Sequence, residues 1–373
     1  FSLSNGLTYE KSMSTLKALR LIRGLKSLRW PEITIPETVT NLRNHVKLPY
    51  IERVQITEDY NQEFSLANSL GNKVRCLNIF PLFSYHLRQQ LNYCPFLNVL
   101  KANCDHLVEL RIFFNKYSLT EDVMSFLPSM KSLISLTIEL TDCEAPSLDT
   151  ISTLKLKKFR FIVAWKASFT KKMSHNLAEI LQRLESIEDL SLSFAYGSCE
   201  PGIGEPLGHI LPKLKLLRKL NIHFDTPKNS QLFFMRARIP LKLTHLGLYV
   251  PTFDNPDMIP FTQFLHNNTK LTELSIWFGH SGLKADHFTK FCSELKRMHM
   301  LTRLELFLGA CELSFFHPFI SAIGSLTKLE YLTFYESGGL INGNSNLKIL
   351  RKTLKKYPNL RGFKLNTALS DVG

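Results

Sequence analysis

A short phrase of aliphatic side chains recurs along the chain: one aliphatic residue, two of any kind, a second aliphatic, one of any kind, and a third. Its clearest copies are Leu133-x-x-Leu136-x-Ile138, Leu217-x-x-Leu220-x-Ile222, Leu243-x-x-Leu246-x-Leu248, Leu271-x-x-Leu274-x-Ile276, Leu301-x-x-Leu304-x-Leu306 and Leu329-x-x-Leu332-x-Phe334. Weaker copies begin at Leu25, Ile51, Val74, Leu97, Leu107, Leu156, Ile187 and Leu360, fourteen copies in all. From Leu107 onward the copies return every 23 to 31 residues. The step of 10 residues from Leu97 to Leu107 is too short for a repeat, so one of those two is expected to be a false match, leaving about thirteen repeats.

Within the phrase the second and third aliphatics are two residues apart, which is strand alternation and puts both on one face. The period then changes. Met173, Leu177, Ile180, Leu181 and Leu184 follow Phe169-Thr170 at helical spacing, and Thr120-Glu121-Asp122 has the composition of a helix start. Asn346 to Tyr357 places Leu347, Leu350, Leu354 and Tyr357 on one stripe, with Lys348, Arg351, Lys352, Lys355 and Lys356 largely elsewhere. Each repeat is therefore expected to be a strand, a turn and a helix. One such unit cannot bury both apolar faces, whereas a stack can.

This pattern resembles the leucine-rich repeat superfamily in its longer, ribonuclease-inhibitor-like and F-box-associated style, over about Leu16 to Leu365. The resemblance implies an α/β solenoid, a horseshoe with a parallel sheet on the concave face and helices on the convex face, and a single array spanning residues 1–373. One feature departs from the family. It usually places Asn or Cys three positions after the last aliphatic of the phrase, where the side chain bonds the turn backbone. Here those positions hold Asp225, Pro251, Gly279, Gly309 and Ser337, and the position before is apolar in most repeats: Phe194, Phe224, Val250, Phe278 and Leu308. The strand is expected to run on by one inward residue. The first residue is Phe1 rather than Met and the chain stops eight residues after Leu365, so both ends are expected to be incomplete.

Alternation also identifies what the concave face would expose. If Leu220 and Ile222 point inward, Lys219, Asn221 and His223 point outward, and the rule yields three columns across the repeats. The last reads His223, Tyr249, Trp277, Phe307 and Tyr335, with Phe80 and Phe113 further back. Exposed aromatic stripes mark partner sites, although β-propensity alone also places aromatics in strands. The other two columns carry a basic cluster toward the N-terminal and central repeats: Arg53, Lys101, Arg111, Lys158, Arg160 and Lys219, with Arg29 before them. An acidic protein segment or a phosphate backbone would suit these cations; ordinary solubilising charge would also account for them.

Charge sharpens this reading only in part. Lys and Arg number 46 against 32 acids, a net charge of +14. The basic runs at 155–160, 213–219 and 348–356 lie in different repeats and fit helix faces, and no nucleic-acid-binding motif is present, so nucleic acid is a weaker expectation than protein. Chemistry is sparse. No phosphate-binding GxxxxGK[ST] loop, HExxH pair or GxSxG elbow occurs. Gly202-x-Gly204-x-x-x-Gly208, with Pro201 and Pro206, reads as a repeat turn. His280, Asp286 and His287 could form a metal cluster only if a helix starting near Lys284 did not separate His280 from the others; His175 and His209 read as surface or capping residues. No cofactor and no metal are expected. Seven cysteines at wide spacing, with no CxxC pair, argue for reduced thiols and an intracellular, cytoplasmic setting, and the lone sequon at Asn267 carries little weight. No run of 18 apolar residues predicts a membrane span.

The resemblance therefore implies a non-catalytic protein–protein interaction scaffold. Two alternatives remain open: a substrate-recognition subunit of a ubiquitin ligase, although residues 1–30 show no F-box, and a structural subunit of a large ribonucleoprotein or cytoskeletal assembly.

Overall fold

Thirteen of the phrases become strands, each beginning two residues after the first aliphatic. In the computed structural model the described residues are 27–30, 53–57, 75–80, 100, 104–114, 120–143, 145–164, 166–194, 199–237, 241–250, 258–279, 284–308, 315–336 and 344–367. They fall in two compact units, Phe1–Ser168 and Phe169–Gly373. The first contains β1 (Ser27–Trp30), β2 (Arg53–Thr57), β3 (Cys76–Phe80), β4 (Glu109–Phe114), β5 (Ser135–Leu140) and β6 (Lys158–Val163). Each pairs in parallel with the next. The second contains β7 (Asp189–Phe194), β8 (Lys219–Phe224), β9 (His245–Val250), β10 (Glu273–Phe278), β11 (Arg303–Leu308), β12 (Tyr331–Glu336) and β13 (Gly362–Thr367), again parallel and in sequence order. The Leu107 phrase forms β4, whereas Leu100, the described residue of the Leu97 phrase, is helical.

Helices follow the strands: α1 (Thr120–Phe126) in the first unit, then α2 (Lys171–Arg183), α3 (Gly204–Ile210), α4 (Pro227–Arg236), α5 (Met258–His266), α6 (Ala285–Leu295), α7 (Phe316–Ile323) and α8 (Asn344–Leu354) in the second. The α/β repeat architecture of the leucine-rich kind is thus present, with strands on one side of the core and helices on the other. Thr170 caps α2: its hydroxyl accepts from Met173 N at 3.2 Å. The α8 stripe is narrower than the sequence implied. Leu350 and Tyr357 are buried, but Leu347 is 42% exposed, and the Tyr357 hydroxyl donates to the Ile323 carbonyl to tie this turn to α7.

The strand does continue by one inward residue. Phe114, Leu140, Val163, Phe194, Phe224, Phe278 and Leu308 are all buried. In the second unit this extra position seeds a chain of phenylalanines. Phe169, Phe194 and Phe224 lie 5.2 and 5.6 Å apart in succession, and Phe224 meets Phe233 at 5.4 Å. Phe234 meets Phe261 at 5.2 Å, and Phe278 meets Phe291 at 5.4 Å. Each ring is near-fully buried, so the repeats are joined by aromatic packing as well as by aliphatic ladders.

The backbone is joined by a repeated device. Among the described residues, one carbonyl ahead of most strands accepts two N–H groups from the next repeat: Thr244 O receives Thr272 N at 2.8 Å and Glu273 N at 3.0 Å, and Thr272 O receives Thr302 N and Arg303 N in the same way. Threonine hydroxyls reinforce it, Thr272 Oγ1 donating to Thr244 O and Thr302 Oγ1 to Thr272 O, both at 3.0 Å. Other side chains do the turn-bonding work of the absent asparagines. Asn229, fully buried on α4, accepts from Gly202 N at 2.7 Å and donates to Glu200 O at 3.3 Å. Asn268, just after α5, accepts from Leu241 N at 3.2 Å and donates to Phe264 O at 2.7 Å. Cys143 Sγ lies 3.6 Å from Phe114 O, three positions beyond the inward Leu140. A buried amide needs all its partners, which is why each asparagine bridges two segments.

One reading from sequence is corrected here. Gly204-x-x-x-Gly208 is not a turn but the packing face of α3. A Cβ on Gly204 would stand 1.9 Å from the Asn229 carbonyl oxygen, and one on Gly208 2.4 Å from that of Phe233. The glycines let α3 lie directly on the backbone of α4. Gly202 alone of this group has positive φ, +99°, and makes the turn ahead of the helix.

Candidate partner-binding surface

Alternation along β7–β13 sends every second side chain away from the helices, and parallel register aligns these side chains into columns. Tyr249, Trp277 and Phe307 are consecutive register partners, as are Phe307 and Tyr335, and His223 pairs with Tyr249. The aromatic column expected from sequence is therefore brought together. His223 and Tyr249 have ring centres 3.9 Å apart, Tyr249 and Trp277 5.5 Å, Trp277 and Phe307 4.7 Å, and Phe307 and Tyr335 4.3 Å. The last two pairs are stacked, with ring planes within 13° and 6°. Lys364 Nζ lies 5.3 Å from the Tyr335 ring centre and closes that end; Ser193 Oγ, 3.2 Å from His223 Nδ1, closes the other. Trp277 is 46% exposed, and His223, Tyr249, Phe307 and Tyr335 are half-buried beside it.

Two polar columns run beside the ridge. The one adjoining it carries Ser191, Asn221, Gly247, Ser275, Glu305, Thr333 and Lys364; the outer one carries Asp189, Lys219, His245, Glu273, Arg303 and Tyr331. Gly247 leaves room for its neighbour: a Cβ there would meet Asn221 Oδ1 at 2.1 Å. His245 Nε2 and Glu273 Oε1 pair at 3.0 Å, and Arg303 lies 4.7 Å from the Tyr331 ring centre. Across this face three cations, Lys219, Arg303 and Lys364, are balanced by three acids, Asp189, Glu273 and Glu305.

His223 is the electrostatically unusual member. Burial between Ser193 and Tyr249 lowers its pKa from 6.5 to about 4. A histidine whose folded pKa lies below its free value stabilises the fold fully above pH 6.5, and that contribution is lost as the pH falls toward 4. The His223 ring resonances should accordingly move with a midpoint near pH 4 in an NMR titration. A midpoint near 6.5 for His223 would contradict the packing described.

The basic cluster is distributed differently. Arg111 and Arg160 stand on β4 and β6 with Thr137 of β5 between them in register. Arg111 pairs with Glu139 at 3.3 Å and also lies 4.7 Å from the Phe113 ring centre. Burial pushes the Glu139 carboxyl up from its ordinary range, against the pull of Arg111 and Arg160. Lys158 is exposed, one strand from Ser135 and two from Glu109. The Arg53 position lies on β2 but its side chain is outside the described residues, Lys101 and the position of Phe80's side chain are also outside them, and Lys219 belongs to the second unit.

Among the described residues no group of three His, Cys, Asp or Glu side chains could hold a metal ion. His287 is buried on α6 while Asp286 is exposed, and His280 lies outside the described residues. A feature that sequence reading missed is a cleft of about 430 Å³ on the helix side, lined by His175 and Glu179 of α2, Glu205 and His209 of α3, and Arg236 of α4. Arg236 Nη2 pairs with Glu205 at 2.6 Å and, with Lys171, holds that carboxylate below its ordinary range. Its only signal in the sequence was the glycine pair that draws α3 onto α4.

No family model and no curated protein matches this chain. Among solved structures, the TLR13–ssRNA13 complex is similar over 84% of this chain and 42% of that one, at 16% identity and a TM-score of 0.44. A Bacteroides fragilis protein is similar over 98% of this chain and 83% of its own, at 11% identity and a TM-score of 0.34. The chain thus spans about two fifths of the length of the TLR13 chain.

Proposed function

We propose that this protein is a non-catalytic interaction scaffold that holds a protein partner on the outward face of its second unit. The observation that carries the reading is the continuous aromatic column His223–Tyr249–Trp277–Phe307–Tyr335, with Trp277 exposed at its centre. Aromatic side chains already ordered by stacking lose little freedom on binding, which is what makes rigid aromatics effective anchors. The face is charge-balanced, so the reading favours an apolar or mixed partner segment here over a polyanion. The cations of the first unit offer an acidic partner less than their number implies, because Arg111 is already engaged by Glu139.

A compartment that keeps thiols reduced accords with the free cysteines at 143, 199 and 292. Burial pushes the Cys199 and Cys292 thiols up to about 12, which suppresses the thiolate and its reactivity. No helix among the described residues is long and apolar enough to cross a membrane.

The test is affinity capture with the parent chain and with Trp277→Ala and Phe307→Ala, read by mass spectrometry and by thermal unfolding. Both variants should lose captured partners at least tenfold, equivalent to about 1.4 kcal/mol or more, with Tm shifted by no more than a few degrees. Unchanged capture would defeat the assignment of this face.

A further inference from the structure

The ridge and the column beside it specify the partner further, and this step rests on the scaffold reading above. We infer that the outward face of β8–β12 binds a proline-rich segment in the polyproline II conformation, carrying one basic residue.

Three observations lead there. The first is hydrogen-bonding character. Asn221, Ser275 and Thr333 lie in the column adjoining the ridge, and none has a hydrogen-bond partner among the described residues. All three can donate. A polyproline II chain makes no internal hydrogen bonds, and its prolines offer carbonyl acceptors without N–H donors, so donors are what it needs from a surface.

The second is repeat length. Asn221, Ser275 and Thr333 stand on β8, β10 and β12, every second strand. Two strand spacings are about 9.6 Å. One turn of polyproline II, three residues at about 3.1 Å each, is about 9.3 Å. A segment crossing the strands along the ridge would present an equivalent carbonyl to each donor in turn and an equivalent ring to the aromatic wall. An extended β-strand, with equivalent residues about 6.8 Å apart, falls out of step.

The third is charge. Glu305 lies between Ser275 and Thr333 in register, beside Phe307, and meets no cation among the described residues; Arg303 of the same strand is turned onto Tyr331. The complementarity is local: the Glu305 carboxylate stands beside the ridge with no cation on it among the described residues, so an occupant that supplies one cation at β11 meets it directly and an anionic one is repelled there. The ridge also disfavours single-stranded nucleic acid by its stacking. Trp277, Phe307 and Tyr335 already cover one another's ring faces at 4.7 and 4.3 Å, leaving no slot of the roughly 7 Å between rings that an inserted base requires. A neutral face gives no phosphate attraction either.

The experiment uses the full chain and three labelled probes in fluorescence polarisation: a peptide of four Pro-Pro-Ala units with a single central Arg, the same peptide with Ala for Arg, and a peptide of equal length in Gly and Ser with the central Arg. A thirteen-nucleotide oligouridylate is the fourth probe. The Arg-containing proline peptide should bind at least tenfold more tightly than the Gly/Ser peptide. Glu305→Gln should weaken it several-fold while leaving the uncharged proline peptide unchanged, and Phe307→Ala should weaken both proline peptides. Equal binding of the Gly/Ser and proline peptides, tighter binding of the oligouridylate, or no peptide binding at all would overturn the inference. If partner capture still falls in Trp277→Ala while the proline peptides fail to bind, the scaffold reading stands and this inference alone is lost.

Discussion

Leu274→Asn should unfold the middle of the second unit. Leu274 is 1% exposed, on β10, in register between Leu246 and Leu304, which are 2% and 0% exposed. Truncating such a leucine removes about 2–5 kcal/mol through lost transfer and the cavity left behind. The amide adds a buried polar group with no partner, about 1–3 kcal/mol more. A loss of about 4 kcal/mol or more is expected, large against the stability of ordinary domains. Because stacked repeats lean on their neighbours, the loss should spread. Amide hydrogen exchange of β9, β10 and β11 should accelerate together, and the thermal transition should shift by many degrees. Thr272→Asn, two residues earlier, is the contrast. Its side chain is only half-buried and contributes one hydroxyl bond to Thr244 O, so a cost of about 1 kcal/mol is expected. Equal effects from the two substitutions would contradict the inward–outward assignment on which every column rests.

Gly204→Ala should rank next, although it adds only a methyl group. The new Cβ would stand 1.9 Å from the Asn229 carbonyl oxygen and 3.2 Å from Phe233 Cβ. The obstacle is backbone, so no rotamer change relieves it; α3 must move off α4. That movement also strains the bonds Asn229 makes to Gly202 N and Glu200 O. About 3 kcal/mol is expected from overpacking and the disturbed amide together. Gly324→Ala is the control. There the nearest atom, Ile320 O, is 3.2 Å away and φ is −53°, ordinary for alanine, so thermal unfolding should change little. If Gly204→Ala were as harmless as Gly324→Ala, the close approach of α3 and α4 would not exist in solution.

The two residues also mark different degrees of legibility. Leu274 was readable because strand periodicity is exact over a few residues: once Leu271, Leu274 and Ile276 are in phrase, burial of one set and exposure of the other follow. For the same reason His223, Tyr249, Trp277, Phe307 and Tyr335 align from sequence, since parallel strands of equal phase fix register. Gly204 was not readable in that way. A glycine pair with two prolines has the composition of a turn, and only the presence of the α4 backbone within contact distance makes it a packing face. Asn229 and Asn268 were hidden similarly. The missing asparagines after the strands were evident, but the replacements lie on α4 and just beyond α5, and their value depends on which backbone groups the fold leaves unpaired.

The sequence by itself determined the repeat, the alternation of strand and helix, the inward ladder with its added phenylalanine position, and the membership of the outward aromatic column. These follow from local periodicity, which short-range sterics impose on any chain with this pattern. Tertiary structure alone decided the rest: that Trp277 stays exposed while its neighbours stack, that Arg111 is engaged by Glu139 and so diminishes the basic cluster, that Leu347 leaves the α8 stripe, and that α3 closes on α4 and opens a cleft toward α2. Each depends on distances between segments remote in sequence, and a difference of an ångström or two there changes a contact into a gap.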